Sequence, residues 1–401
     1  MTHPASPAEP SFIPLAVPNI GLAEIAATQA AVASGFVSSV GPEVEAFEQR
    51  FAQTVGATHA VACASGTAAL HVALRLVGVG AGDEVLCSDF TFIGSANPIA
   101  YLGAVPVFVD SEAASWNLDP ELVVRELDRR AAAGERQPAA IEAVHILGQP
   151  ARLDALLDAA ERHGVPVVED AAESLGAGWS SGALAGRATG TAGRIGCFSF
   201  NGNKIATTGG GGMIVTDDAA LAERARHLTT QAKAPGVGYL HDEVGYNYRL
   251  TNVAAALGNA QLGRLPEFIA AKLAIARRYE AAFGELPVGL PPRLPGAESS
   301  YWLYSILARD AAERDLLLDH LQQRRIGARA LWRPLSAQPP FAGARRLVRG
   351  GSGGSADEAA AGDSVAASLF ERGVSLPSST ELSEADQARV IDAVLGFYAR
   401  G

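Results

Sequence analysis

Short apolar runs alternate with helix-period stretches through the first half of the chain, and that alternation limits the possible folds more than any other feature. The runs read as strands at Glu84 to Cys87, Val105 to Val109, Ile141 to Leu147 and Val165 to Val168. Helical patterns fill Ser95 to Leu102, Pro120 to Ala133 and Ala151 to His163 between them. Buried strands that return through helices make a mostly parallel sheet covered on both faces, so the chain belongs to the α/β class. Ligands of such sheets gather at the carboxyl ends of the strands. That rule points to Phe90 to Phe92, His145 to Gln149 and Glu169-Asp170.

Bulk properties exclude several classes. A net charge of -11 argues against a nucleic-acid partner, whose phosphates demand clustered cations. Cys63, Cys87 and Cys197 stand far apart with no CxxC pair, which gives neither a disulfide framework nor a thiolate metal site. No metal site of any kind is expected. The proline-rich first eighteen residues lack a basic cluster and an apolar h-region, no apolar run reaches membrane-spanning length, and the expected location is cytoplasmic. Gly178-Trp179-Ser180-Ser181-Gly182 matches a nucleophile elbow in letters, but the elbow needs a strand before its serine and a helix after it, and loop residues lie on both sides.

The chemistry-bearing candidates each have two readings from the residues alone. Lys204 follows the strand-like run Gly196 to Ser199 and a polar turn, where a desolvated amine would be a Schiff-base nucleophile and an exposed one a plain loop lysine. Ser65 and Thr67, at the start of the helical pattern after Val61 to Ala64, suit an anion at a helix N-terminus and equally an ordinary cap. Asp170 could hold a protonated ring nitrogen or cap a helix over Ala171 to Ser174. Phe92 could stack on a flat cofactor or fill the core. Gly209 to Gly212 reads as backbone room, followed by a strand over Gly212 to Thr216 and a helix over Asp218 to His227. The polar, aromatic segment Gly245 to Asn252 suits a site or an interface and leads into an Ala-rich helix over Val253 to Leu262.

A second long helix is expected from Pro266, and beyond the hinge Pro287 to Pro295 a smaller α+β unit with a strand at Tyr301 to Leu307 and helices at Ala312 to Arg325 and Ser383 to Phe397. Arg324, Arg325, Arg329 and Arg333 form a basic cluster there that could meet a diphosphate or remain a solvated face. Met1 to Glu9 and Gly350 to Gly362 read as disordered and low-complexity segments.

Taken in order, Ser65 to Leu70 (SGTAAL), Thr91-Phe92, Glu169-Asp170-Ala171-Ala172, Phe198-Ser199-Phe200 with Lys204, and Gly245-Tyr246-Asn247-Tyr248-Arg249 resemble the sugar aminotransferases of the DegT/DnrJ/StrS family. The resemblance implies an aspartate-aminotransferase fold (fold type I), with a large cofactor-binding domain over residues 14–264 and a small α+β domain over 265–401. It implies pyridoxal 5'-phosphate bound through Lys204, with Asp170 on the ring nitrogen, Phe92 on the ring face, and Ser65, Gly66, Thr67 and Ser199 about the phosphate. Asn247 would reach that phosphate from the second subunit of a homodimer with shared active sites. Glu173 stands where many members carry a glutamine near the cofactor hydroxyl, and Arg249 and Arg333 are candidate substrate contacts.

The amino donor implied is L-glutamate, released as 2-oxoglutarate. Phe36 to Pro42, Trp116 to Pro120 and Phe200 to Lys204 are most similar to the branch acting on UDP-linked 4-keto-6-deoxy-N-acetylhexosamines. Other keto-sugars, 3-keto or GDP-linked, and a non-catalytic scaffold are the alternatives. Gly210 and Ser336 depart from the glutamate and histidine that many members carry at those places.

Overall fold

The computed structural model describes residues 11–236, 238–349 and 364–399. The expectations for Met1 to Glu9 and for Gly350 to Gly362 fall outside these residues. The chain opens with helices α1 (Leu22–Ala33) and α2 (Pro42–Val55). There follow β1 (His59–Cys63), α3 (Gly66–Leu76), β2 (Glu84–Ser88), α4 (Ala96–Tyr101), β3 (Val105–Val109), α5 (Pro120–Ala133), β4 (Ala140–Val144), α6 (Asp154–His163) and β5 (Val167–Asp170). After these come β6 (Gly178–Trp179), β7 (Ile195–Ser199), β8 (Gly212–Thr216), α7 (Ala219–Thr229) and the long α8 (Asn252–Phe283). The C-terminal part holds β9 (Ala297–Glu298), β10 (Tyr304–Leu307), α9 (Ala311–Gln323), β11 (Arg329–Ala330), β12 (Arg346–Leu347), α10 (Val365–Arg372), β13 (Gly373–Leu376) and α11 (Glu384–Tyr398).

The central sheet has eight strands in the order β1-β8-β7-β5-β4-β2-β3-β12. β8 runs against both its neighbours, while β7, β5, β4, β2, β3 and β12 pair in parallel. The carboxyl ends of the parallel strands therefore open on one edge, together with the amino end of β8. The expected α/β architecture of fold type I is the one observed. A small antiparallel sheet, β10-β13-β11, builds the second core with Tyr279, Phe283, Leu317 and Val390. Ile13 is anchored there, its N–H donating to the Arg325 carbonyl at 2.9 Å.

Three local expectations give way to packing. The strand expected to run to Leu147 stops at Val144, because His145 to Gly148 turns into a short 3-10 helix with Leu147 and Gly148 both at positive φ, 57° and 90°. No helix forms over Ala171 to Ser174; that stretch holds a single turn at Ala172-Glu173. The two helices expected on either side of Pro266 are one, α8, of 32 residues. A proline inside a helix costs about 3 kcal/mol, and here Leu265 and Phe268 on either side of it are buried in the main core, so tertiary packing overrides propensity.

Periodicity does not announce α1. It buries Glu24 and Ala31 while Leu22, Ile25 and Val32 face outward, the inverse of an amphipathic pattern. Burial raises the Glu24 carboxyl, but hydrogen bonds from Gly21, Gln261 and Arg264 outweigh it and hold the group below the usual range. Such a buried ion pair fixes α1 on α8. The expected division at residues 264 and 265 falls within α8, whose first half packs on α1 and α2 and whose second half enters the small core.

Lys272, on α8, is 3% exposed. Its Nζ donates to the Trp302 carbonyl at 2.8 Å and to the Ser378 carbonyl. Burial pulls its ammonium down to about 7 from an ordinary 10.5. Between about pH 7 and pH 10 the unfolded chain then holds a proton that the folded chain has lost, so this residue contributes stability that rises with pH across that window. Denaturant midpoints of the wild type and Lys272→Met, measured at pH 7 and pH 10, should differ in this slope, the wild type gaining relative to the variant.

Candidate active site

β1, β7 and β5 end on one edge of the sheet, with the start of β8 between β1 and β7, and bring Ser65, Ser199 and Asp170 to one cleft of about 440 Å³, lined also by Thr67, Phe92, Glu173, Lys204, Trp302 and Arg329. At its β1 side Ser65 is the N-cap of α3, its Oγ accepting from Ala68 N–H at 3.0 Å. Capping and anion binding coexist: the cap uses an oxygen lone pair, and the first-turn N–H groups of Gly66 and Thr67 have no carbonyl within the helix to bond. The backbone here is pressed closely. A Cβ on Gly66 would lie 2.9 Å from the Ser199 Cβ, and a Cβ on Gly212 would lie 2.3 Å from the Ser65 carbonyl oxygen. Glycine at these places lets three chain segments meet around one small concavity.

Asp170 ends β5 with its carboxylate fixed on both oxygens. Ser95 Oγ donates to Oδ2 at 2.8 Å, Ala172 N–H donates to Oδ1 at 3.0 Å, and Thr91 lies 3.0 Å behind Ser95. Register places Val144 opposite Asp170 and Glu142 opposite Val168, so alternation puts Glu142 on the same face as Asp170, one step deeper. Glu142 is fully buried and neither of its carboxyl oxygens has a hydrogen-bond partner. Burial and the charge of Asp170 push its carboxyl well above the usual range.

Lys204 follows the turn after Phe200 and is largely enclosed. Its Nζ lies 3.5 Å from Glu173 Oε1 and 3.9 Å from the centroid of the Trp302 ring. Glu173 Oε2 accepts from Leu147 N–H at 2.9 Å. Burial raises the Glu173 carboxyl, against the pull of the Lys204 ammonium and the Leu147 N–H. Phe92 is 57% exposed and borders the cleft, which a core residue would not.

The remaining candidates lie elsewhere. Asn247 is exposed, outside the residues lining this cleft, and its Oδ1 accepts from Gln231 Nε2 at 2.8 Å. Arg249 is not free to meet a substrate carboxylate: its Nη1 donates to Glu48 Oε1 at 2.7 Å and to the Ala62 carbonyl, tying α2 to β1. Arg333 turns away onto the Phe370 ring, 4.9 Å from its centroid, and Arg329 of the same basic cluster borders the cleft instead. Neither Arg249 nor Arg333 is among the residues lining this cleft. Ser336 donates its hydroxyl and its N–H to the two carboxylate oxygens of buried Asp89, each at 2.8 Å. Gly210 borders the cleft in open space, where an added Cβ would meet nothing within 4 Å.

Sequence reasoning missed Ser95, Trp302 and Arg329 as cleft residues. Arg329 sat inside the basic cluster but had no mark to separate it from its neighbours. Ser95 and Trp302 reach the cleft through tertiary contacts that no spacing announces.

The donor set fits pyridoxal phosphate by its chemistry. Hydroxyls and N–H groups at a helix start match a phosphate, an exposed aromatic face matches a flat ring, and a hydrogen-bonded carboxylate opposite an enclosed amine matches a pyridinium nitrogen and an aldehyde carbon. Comparison with known proteins agrees. The family described as DegT/DnrJ/EryC1/StrS aminotransferase matches residues 18–395. EpsN of Bacillus subtilis strain 168, whose name describes a pyridoxal phosphate-dependent aminotransferase, is 42% identical over 91% of this chain and 90% of its own. GDP-perosamine synthase of Escherichia coli O157:H7 is 33% identical over 97% of this chain and 99% of its own. A DegT DnrJ EryC1 StrS aminotransferase crystal structure from Brucella abortus superposes with a TM-score of 0.84 at 33% identity, covering 94% of this chain and 95% of that one.

The close backbone approach gives a direct test. Gly212→Ala forces its methyl against the Ser65 carbonyl and should weaken retention of pyridoxal phosphate by about tenfold or more, overpacking of this kind costing roughly 1–3 kcal/mol. Gly210→Ala meets open space and should retain the cofactor within about twofold; absorbance after graded dialysis distinguishes the two.

Proposed function

This chain belongs to the DegT/DnrJ/EryC1/StrS aminotransferase family and is a pyridoxal-phosphate-dependent sugar aminotransferase, and from that premise we propose that it moves the amino group of L-glutamate to C4 of a nucleotide-linked 4-keto-6-deoxy sugar of the UDP-N-acetylhexosamine type. The observation that carries the site assignment is the meeting of Lys204, Asp170 and the start of α3 in one cleft. The substrate class rests on the resemblance in Phe36 to Pro42, Trp116 to Pro120 and Phe200 to Lys204. The similarity to a GDP-perosamine synthase over nearly the whole chain favours a GDP-linked sugar as the second reading.

When bound, the cofactor supplies an electrophilic carbon for amine exchange and an electron sink for the carbanion. Lys204 is the residue that holds it covalently, and the freed Nζ takes a proton from the donor's Cα and returns one on the other side of the transfer. Asp170 keeps the ring nitrogen charged, and its Ser95 and Ala172 donors keep Asp170 in place for that task. Ser65, Gly66, Thr67 and Ser199 bind the phosphate, Phe92 covers one ring face, and Glu173 sits beside the Lys204 amine. Arg329 is the cation in position for a substrate carboxylate or diphosphate. Two half-reactions share these groups, so the kinetics are ping-pong.

Asn247 completes the phosphate site from a second copy. Two features support this arrangement: Asn247 is exposed and outside its own chain's cleft lining, and Leu22, Ile25, Val32, Phe36, Val37 and Val40 leave a run of apolar surface near the N-terminus. The shared site makes the homodimer the active unit.

Lys204→Ala should lose turnover by at least about a thousandfold and Asp170→Asn by about a hundredfold, as removal of a nucleophile-base and of a charge partner commonly does. The assay is 2-oxoglutarate release from glutamate with a panel of UDP- and GDP-linked 4-keto sugars, and full turnover by Lys204→Ala would end the reading. Mixing inactive Lys204→Ala and Asn247→Ala proteins under subunit exchange should restore activity, because one site of each hybrid then has both native residues. A site built within one chain would give no recovery.

A further inference from the structure

Trp302, which lines this cleft, and Lys272, which holds its carbonyl, are left without a role by the functional reading. Trp302 is 4% exposed and grips the Lys204 loop twice. Its indole N–H donates to the Asn203 carbonyl at 2.7 Å, and its ring face lies under Lys204 Nζ. An ammonium over an indole is attracted by the negative face of the ring, most strongly where water is excluded.

The segment that carries Trp302 is itself pinned. Ser300 N–H and Ser299 Oγ both donate to the Gly148 carbonyl at 3.0 Å, and Tyr301 takes the left-handed φ of 47°. Gly148 cannot be another residue here, since its Cβ would lie 2.6 Å from Ser300 Oγ and 2.9 Å from Trp302 N. Non-glycine residues in the left-handed region are held there by surrounding contacts. The neighbouring Leu147, also left-handed, gives its N–H to Glu173. One tight turn therefore sets both walls around the Lys204 amine, the Glu173 carboxyl at 3.5 Å and the Trp302 ring at 3.9 Å. Behind the ring, Trp332 stacks at 6.1 Å, and Lys272 Nζ holds the Trp302 carbonyl together with that of Ser378 from the small domain.

We propose that Trp302 and Glu173 form a two-sided seat that receives the Lys204 amine when it is released during each half-reaction, and that Lys272 is the positioning residue that fixes the indole side of this seat. The proposal rests on Lys204 being the amine that carries the cofactor. It gives Lys204 a defined resting place close to the reaction, in place of a mobile four-carbon arm, so that its proton transfers start from one geometry. Lys272 touches no reacting atom; it acts through the Trp302 backbone.

The chain has only three lysines, Lys204, Lys233 and Lys272, which makes a direct readout simple. In the cofactor-free full chain, reductive methylation by formaldehyde and cyanoborohydride is followed by peptide mass spectrometry, with Lys233 as the internal reference. Trp302→Leu should raise the Lys204 labelling rate by about fivefold, because the amine is no longer held against the ring, and Trp302→Phe should raise it less, since a smaller aromatic face remains. Lys272→Met should shift labelling in the same direction by about twofold. In the loaded enzyme, Trp302→Leu should lower kcat by about tenfold with KM for glutamate within about twofold, and Trp302→Phe should recover part of the loss. Labelling and kcat unchanged in both Trp302 variants would overturn the seat. Lys272→Met indistinguishable from the wild type in both readouts would remove Lys272 from it. If Trp302→Leu fails to fold, Trp302→Phe and Lys272→Met carry the test. Retained turnover in Lys204→Ala would instead overturn the functional reading, so the two failures are separable.

Discussion

The site depends on a contact between backbones. The start of α3 lies so close to the end of β7 and the beginning of β8 that Gly66 and Gly212 have no room for a Cβ. This contact is what turns an ordinary capped helix into one whose free N–H groups face Ser199 across a small concavity. It also explains why β8 runs against its neighbours: its amino end, and not its carboxyl end, must come to this edge of the sheet, bringing Gly212 with it. The glycine run after Lys204 therefore has two parts. Gly211 and Gly212 are enforced by neighbouring atoms, whereas Gly210 is open and is left to the substrate side of the cleft.

Electrostatics divides the acids of the cleft by their donors. Asp170 receives a hydroxyl and an N–H, while Glu142, one step deeper on the same face, has no hydrogen-bond partner among the described residues and is pushed well above the usual range by burial and by Asp170. Glu173 lies between these extremes, raised by burial and pulled back by Lys204 and Leu147. Three carboxyls in one region thus act differently because the backbone supplies donors to one and withholds them from another.

The sheet, most of its helices and the residues at strand ends were legible because burial leaves a period in the sequence. Asp170, Ser199 and Ser65 follow directly from where an apolar run stops. α1 was not legible, since it hides an acid and shows Leu22, Ile25 and Val32, and neither was the turn at Leu147, whose positive φ is held by contacts of this turn with Ser300 and Glu173 from distant parts of the chain. The arginines could not be told apart in the sequence for the same reason. Arg249 is claimed by Glu48, a partner 201 residues away, and Arg333 by a phenylalanine of α10, so the cation left facing the cleft is decided by competition that only the folded chain displays. Ser336 likewise takes its meaning from a distant partner, donating its N–H and hydroxyl to buried Asp89, 247 residues away.

α8 belongs to both cores. Its 32 residues, about 48 Å at 1.5 Å per residue, begin against α1 and α2 and end among Tyr304, Leu317 and Val390. A helix loses its stability when half of it loses its packing, because each turn borrows its order from the next. Melting of either core therefore strips the packing from half of α8, which couples the two parts of this chain although, among the described residues, their sheets share no strand.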